Sequence, residues 1–138
     1  GRPDMAYFGF TDKIMHGEPI KVFNHGDMLR DFTYVDDIVS GIVNMLDHPP
    51  LADGNGDRYK IYNIGNNHPV RLMDFIGTLE KELGEKAVME FLPMQAGDVY
   101  QTYADISELE KDFDFRPSTS IAEGLKKFVS WYKDYYHV

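Results

Sequence analysis

The sequence predicts an α/β fold of the α+β kind, with short strands combined with about five helices. Three observations predict it. Apolar residues recur at helical spacing, as in Val35, Ile38, Val39, Ile42, Val43 and Leu46. Short apolar runs such as Ile20 to Phe23 are closed on both sides by Pro, Gly or Asn, the usual punctuation of strands. There is no internal repeat, and 138 residues suit one domain.

Asp4 to His16 reads as a helix, with Pro3 or Asp4 at its start and Gly17 past its end. Ile20 to Phe23 reads as a strand between Pro19 and Asn24-His25-Gly26, and Asp31 to Tyr34 as a second extended piece. Val35 to Asp47 carries the clearest helical stripe. Asp36 and Asp37 fall in its first turn, where the helix dipole favours acids, and Pro49-Pro50 closes it. Ala52 to Asp57 has the turn chemistry of a surface loop. Tyr59, Ile61, Tyr62 and Ile64 mark Arg58 to Ile64 as a buried strand, ahead of the turn Gly65-Asn66-Asn67-His68-Pro69.

Leu72, Phe75, Ile76, Leu79 and Leu83 outline another amphipathic helix, stopped by Gly84. Lys86 to Leu92 alternates as a strand does, and Pro93 to Ala104 reads as a loop. Ser107-Glu108-Leu109-Glu110 and Ser120-Ile121-Ala122-Glu123 both have the S-x-x-E form of a capping box. The first opens a short helix ending before Arg116-Pro117. The second opens a final helix on Ile121, Leu125, Phe128, Tyr132 and Tyr135.

A formal net charge of −9 argues against nucleic acid or an anionic membrane surface as partner. An anionic ligand would have to be held by local arginines against the overall field. No apolar run approaches the roughly 18 residues of a membrane span. A hydrophobic fraction of 43% is enough to fill a core, so the chain does not read as disordered. The absence of cysteine excludes disulfides and thiolate metal sites and suits a reducing, cytoplasmic setting. The opening Gly1-Arg2-Pro3, without Met, predicts a cut inside a longer protein.

Catalytic constellations are missing from the sequence. His16, His25, His48, His68 and His137 have no spacing that sets two on one helix face, so no metal site is expected. No serine lies in a G-x-S-x-G turn. The twelve glycines include no G-x-G-x-x-G, so a dinucleotide has no glycine-rich turn to lie on. No tyrosine is followed four residues later by lysine, the helical spacing that would let an ammonium make a phenol into a base. Polar groups beside strands and turns remain: Arg30, Asn63 and the loop Gln95-Ala96-Gly97-Asp98. Taken singly, such groups serve structure more often than binding.

Together these segments resemble the extended short-chain dehydrogenase/reductase family, and within it the UDP-glucuronate 4-epimerases and related nucleotide-sugar epimerases. Six segments carry the resemblance, in the family's order. They are Gly1-Arg2-Pro3-Asp4-Met5-Ala6, Pro19-Ile20-Lys21-Val22-Phe23, Arg30-Asp31-Phe32-Thr33-Tyr34-Val35-Asp36-Asp37-Ile38, Tyr62-Asn63-Ile64-Gly65, Gln95-Ala96-Gly97-Asp98-Val99 and Thr102-Tyr103-Ala104-Asp105. The resemblance implies the carboxy-terminal, substrate-binding part of a NAD-dependent epimerase/dehydratase, residues 1–138, with the Rossmann core absent. In that family NAD and a Tyr-x-x-x-Lys pair sit on the amino-terminal domain. They take hydride and proton from the sugar 4-position, and the 4-keto sugar turns over before hydride returns.

The resemblance also implies roles. Phe23 would contact the uracil, bordered by Lys21 and Ile20. Arg30 would grip the diphosphate through a charge-assisted fork. Asp98 would accept from the ribose hydroxyls. Gln95 stands where relatives often carry an arginine to phosphate, a departure that leaves more of the load on Arg30. Arg2 would lie near the hexose.

No catalytic, cofactor-binding or metal-binding residue is expected in this chain, which is expected to be inactive alone. The expected partners are a UDP-sugar and the missing Rossmann domain. The helix and strand over residues 35–64 would pack on that domain's sheet, so without it the exposed strand 59–64 would invite self-association or element swapping. Two other readings remain open: part of a nucleotide-sugar dehydratase or decarboxylase, and a binding module without catalysis.

Overall fold

The computed structural model describes residues 5–138. Pro3 and Asp4, the expected helix start, and Arg2, the expected hexose contact, lie outside the described residues. The elements in chain order are helix α1 (Ala6–Met15), strand β1 (Ile20–Val22), a 3-10 turn (Phe23–Gly26), β2 (Leu29–Arg30), α2 (Val35–Leu46), β3 (Val70–Arg71), α3 (Leu72–Leu83), β4 (Met89–Phe91), α4 (Ser107–Phe113) and α5 (Ile121–Tyr136). The contacts divide the described residues into two compact units. The first takes residues 5–30, Val70–Gln101 and Ser120–Val138; the second takes Asp31–Pro69 and Thr102–Thr119.

In the first unit, α3 is the central helix and packs on α1 and α5. Its stripe is the one the sequence predicts: Leu72, Phe75, Ile76, Leu79 and Leu83 are all buried. Complete burial of Phe75 and Leu79 contributes about 1.5–3 kcal/mol each. The helix ends on Gly84, whose φ of 77° suits a residue without Cβ. Lys133 Nζ donates to the Leu83 carbonyl at 3.0 Å, placing a cation where the helix dipole is negative. At the start of α3, Leu72 N–H donates to the Met28 carbonyl, which ties the helix to the β2 segment.

Both sheets belong to this unit, and each has two strands. β1 runs parallel to β4, with Ile20, Lys21 and Val22 opposite Met89, Glu90 and Phe91. β2 runs antiparallel to β3, with Leu29 opposite Arg71 and Arg30 opposite Val70. The second extended piece expected over Asp31 to Tyr34 is therefore two residues early, at Leu29–Arg30. β3 provides the ladder that fixes it there, and a strand of two residues has no readable period.

Asn24 and His25 take left-handed φ values of 48° and 51° and end β1 at Val22, one residue short of Phe23. Gly26 follows with φ 84°; a Cβ there would lie 2.6 Å from Met73 Sδ.

α1, α3 and α5 share an aromatic seam. Tyr132 is 2% exposed, its ring edge-on to Phe8 at 5.7 Å. Its hydroxyl donates to Asp12 Oδ1 at 2.9 Å. Helix α5 starts on Ser120, whose hydroxyl accepts from Glu123 N–H at 3.2 Å, as the capping pattern requires.

The second unit pairs α2 with α4 over a small core of Ile106, Leu109 and Phe115, with Met45, Tyr62, Ile64, Ala104 and Phe113 packed against it. Gly41 lets these pieces meet, since a Cβ would lie 2.7 Å from Ile64 and 2.9 Å from Phe115. Gly65 is equally constrained, since a Cβ there would lie 2.6 Å from the Ala104 Cβ. Asp31 is the polar counterpart. Its carboxylate accepts from the N–H groups of Asn67, His68 and Ala104, at 3.0, 3.4 and 3.3 Å. Asp37, buried in the first turn of α2, accepts from Thr119 N–H at 3.0 Å, a longer-range duty than the dipole role read from sequence.

Two expectations are corrected in this unit. Arg58 to Ile64 is not a strand, because among the described residues no segment offers it a ladder. It is held by side chains. Lys60 bridges Asp112 and Glu108, and the Tyr62 hydroxyl donates to Asp112 at 2.6 Å. Those bonds hold the Lys60 ammonium well above its ordinary pKa and the Asp112 carboxyl below its own.

The capping box at Ser107 does not form either. Asp105 precedes it and accepts from Ser107 N–H at 3.0 Å, so Ser107 becomes the first helical residue. Bonds from the Ser107 hydroxyl and N–H hold the Asp105 carboxyl below its usual range.

The Tyr132 phenol carries a pH signature. Burial, then the Asp12 hydrogen bond, pushes its pKa from 10.0 up to about 12. The native state favours the neutral phenol, so this stabilisation is complete below pH 10 and is lost as pH rises through about 12. Tyr132→Phe is expected to cost about 1–3 kcal/mol at neutral pH. Urea unfolding of the variant should also lose stability less steeply between pH 10 and 12 than that of the parent. Parallel alkaline limbs for the two proteins would contradict the role given to this hydroxyl.

Candidate functional site

All the expected site residues that the structure describes belong to the first unit. Ile20 is fully buried between β1 and the core, so a ligand could reach only its backbone. Its N–H is already given to the Val88 carbonyl at 2.8 Å. Lys21 points the opposite way along β1 and is exposed, as the period of two requires. Phe23 is half-buried at the first position of the left-handed turn. That turn is fastened by His25 N–H on the Leu92 carbonyl and by the Asn24 amide on the Asp27 carbonyl.

Arg30 and Asp98, 68 residues apart in sequence, meet as an ion pair, Arg30 Nη2 to Asp98 Oδ1 at 2.8 Å. Their side chains keep 23% and 30% of their exposure, so the pair sits at the surface without being freely solvated. Nη1 donates to two backbone carbonyls, Leu29 at 2.9 Å and Tyr100 at 3.1 Å. Met28 Sδ lies 3.9 Å from Nη2. The guanidinium is thus anchored in one orientation.

Asp98 is aimed by a tight turn. Its N–H donates to the Gln95 carbonyl, and Gly97 takes φ 82° at the third turn position, a conformation that glycine adopts freely. Asp98 Oδ1 also accepts from Val99 N–H at 2.8 Å. Leu29 N–H donates to the Tyr100 carbonyl, and Leu29 forms a parallel bridge with Gln101, so residues 98–101 lie alongside β2. Gln95 is exposed at the turn's first position, and its side chain takes no part in the pair.

Sequence reasoning selected Arg30 and Asp98 but gave them separate duties, and it missed Tyr100 altogether. Tyr100 contributes a main-chain carbonyl, which no side-chain pattern announces. Its hydroxyl donates to Asp27 Oδ1 at 3.3 Å, a second link between this strap and the β2 segment.

Among the described residues no group of His, Asp and Glu is arranged to hold a metal ion, and no helix is long and apolar enough to cross a membrane. No glycine-rich turn among the described residues opens a helix in the manner that holds a dinucleotide pyrophosphate.

An anchored guanidinium beside a carboxylate can present donors to an anion and an acceptor to a hydroxyl. Residues 1–65 match the NAD dependent epimerase/dehydratase family. Over 99% of its length the chain is 48% identical to Protein CapI of Staphylococcus aureus and 44% identical to UDP-glucuronate 4-epimerase 1 of Arabidopsis thaliana. It spans 44% and 34% of those two proteins' lengths. The crystal structure of UDP-glucuronic acid 4-epimerase from Bacillus cereus, in complex with UDP-glucuronic acid and NAD, superposes with a TM-score of 0.83 at 32% identity. That match covers 98% of this chain and 41% of the other. The chain thus shares sequence and fold with the NAD-dependent epimerase/dehydratase family. Within the family, the resemblance to UDP-glucuronate 4-epimerases is borne out.

Proposed function

We propose that this chain is the substrate-binding part of a NAD-dependent nucleotide-sugar 4-epimerase that interconverts UDP-glucuronate and UDP-galacturonate. The observation that carries this reading is the meeting of Arg30 and Asp98 within one unit, in a chain similar over nearly its whole length to UDP-glucuronate 4-epimerases. In this reading Arg30 grips the diphosphate, Asp98 accepts from the ribose hydroxyls, and Phe23 lays its ring against the base. Lys21 and the backbone at Ile20 border the base, Gln95 faces the phosphates, and Arg2 lies near the hexose.

NAD, which would supply the hydride chemistry when bound, would be held by the larger part of the enzyme that this chain does not span. What this chain contributes is orientation. Fixing the nucleotide lets the 4-keto sugar turn over without leaving, and the chain alone is inactive.

The second unit supports a companion proposal. Val35, Val39, Ile42, Val43 and Leu46 of α2 are exposed, and so are Tyr59 and Ile61. These exposed apolar side chains along α2 and in the 58–64 segment are the surface that the rest of the enzyme would cover. In the isolated chain a second copy takes its place. Light scattering should therefore give a mass above the monomer that grows with concentration, and a clean monomer at high concentration would contradict this.

Calorimetric titration tests the main reading. The isolated chain is expected to bind UDP weakly and NAD not at all. In the enzyme that carries this sequence, Arg30→Ala should weaken nucleotide binding by about 1.5–3 kcal/mol. Unchanged affinity would remove Arg30 from the site, and tight NAD binding by the isolated chain would overturn the substrate-part reading.

A further inference from the structure

We infer that Asp98 is a specificity-determining residue, an internal counter-ion that cancels Arg30 for a bare anion and lets the pair accept only a ligand bringing both an anion and a hydroxyl donor. The inference rests on the reading of this site as a UDP-sugar clamp and adds to it a reason for the carboxylate.

The geometry carries it. Arg30 has four of its five donors committed: two to the carbonyls of Leu29 and Tyr100, one to Asp98 Oδ1 and one, weakly, to Met28 Sδ. Those two carbonyls hold the guanidinium in place whether or not Asp98 is charged. The carboxylate is therefore more than the anchoring requires. Its effect is electrostatic: at 2.8 Å it neutralises the cation that it touches, in a chain whose net charge is −9. A lone phosphate or pyrophosphate approaching Arg30 meets a neutral pair in a repelling field.

A nucleoside diphosphate differs, because its ribose hydroxyls can donate to the carboxylate while its phosphates take the unspent Nε–H and displace the weak Met28 Sδ contact. Such a ligand satisfies both charges at once. Discrimination against the isolated anion is then an instance of specificity gained by penalising the wrong ligand. The turn Gln95–Asp98, with Gly97 at φ 82°, and the Val99 N–H on Oδ1 fix the carboxylate in that place.

Asp98→Asn tests this, since the amide keeps an oxygen for Val99 N–H and Arg30 while removing the charge. At low salt, inorganic pyrophosphate should bind the Asn variant about three- to tenfold more tightly than it binds the unaltered chain. UDP should gain less or lose affinity, so the ratio of UDP to pyrophosphate affinity falls. Asp98→Ser should shift the ratio the same way, and melting curves of both variants report folding. Adding Arg30→Met to Asp98→Asn should abolish the gain. Unchanged or weakened pyrophosphate binding in the Asn variant would overturn the inference. A pyrophosphate gain in a protein whose unaltered form ignores UDP would instead sink the UDP-sugar reading and leave the counter-ion role standing.

Discussion

The guanidinium of Arg30 holds the candidate site together. Through one side chain it joins β2, the strap at residues 98–101 and the turn that presents Asp98. Each bond is modest in water, but a partly shielded, charge-assisted group in fixed geometry is worth more than an exposed ion pair. Removing it would leave two carbonyls and a carboxylate without their shared donor. The site is therefore one cooperative cluster rather than a set of independent contacts.

That cluster depends in turn on α3. The strands beside it are two or three residues long, too short to be stable as isolated ribbons. They keep their places because Leu72, Phe75, Ile76, Leu79 and Leu83 anchor α3 in the core of the first unit, and Leu72 N–H ties that helix to Met28. The second unit solves a similar problem with polar groups. Asp31 gathers three backbone N–H groups, and Lys60 with Tyr62 fastens the 58–64 segment to α4 without a ladder. Glycines at 41 and 65 are required by contact distance in that unit.

Much of this was legible in the sequence. The stripes of α3 and α5 follow from spacing alone, and Ser120 is the cap its pattern announces. Periodicity failed where a partner decides the outcome. Tyr59, Ile61, Tyr62 and Ile64 form the apolar run that a buried strand has, but such a run cannot supply a neighbouring edge, so the segment stays unladdered. Ser107 competed with Asp105 for the same helix start, and the carboxylate two residues earlier took the N–H. The stripe of α2 was read correctly as apolar, yet five of its residues face outward, because spacing says which face is apolar and not what covers it. Arg30 and Asp98 were each legible by resemblance. Their pairing was not, because 68 residues separate them and no local pattern encodes that distance.

The central claim is that Arg30 and Asp98 act as one ligand-reading unit. A double-mutant cycle on UDP affinity tests it most directly, using Arg30→Met, Asp98→Asn and the double variant in the enzyme that carries this sequence. Coupled action predicts non-additive changes, with an interaction energy of about 0.5–3 kcal/mol. Additivity within about 0.5 kcal/mol would mean that the two residues serve separate ends, and would contradict the claim.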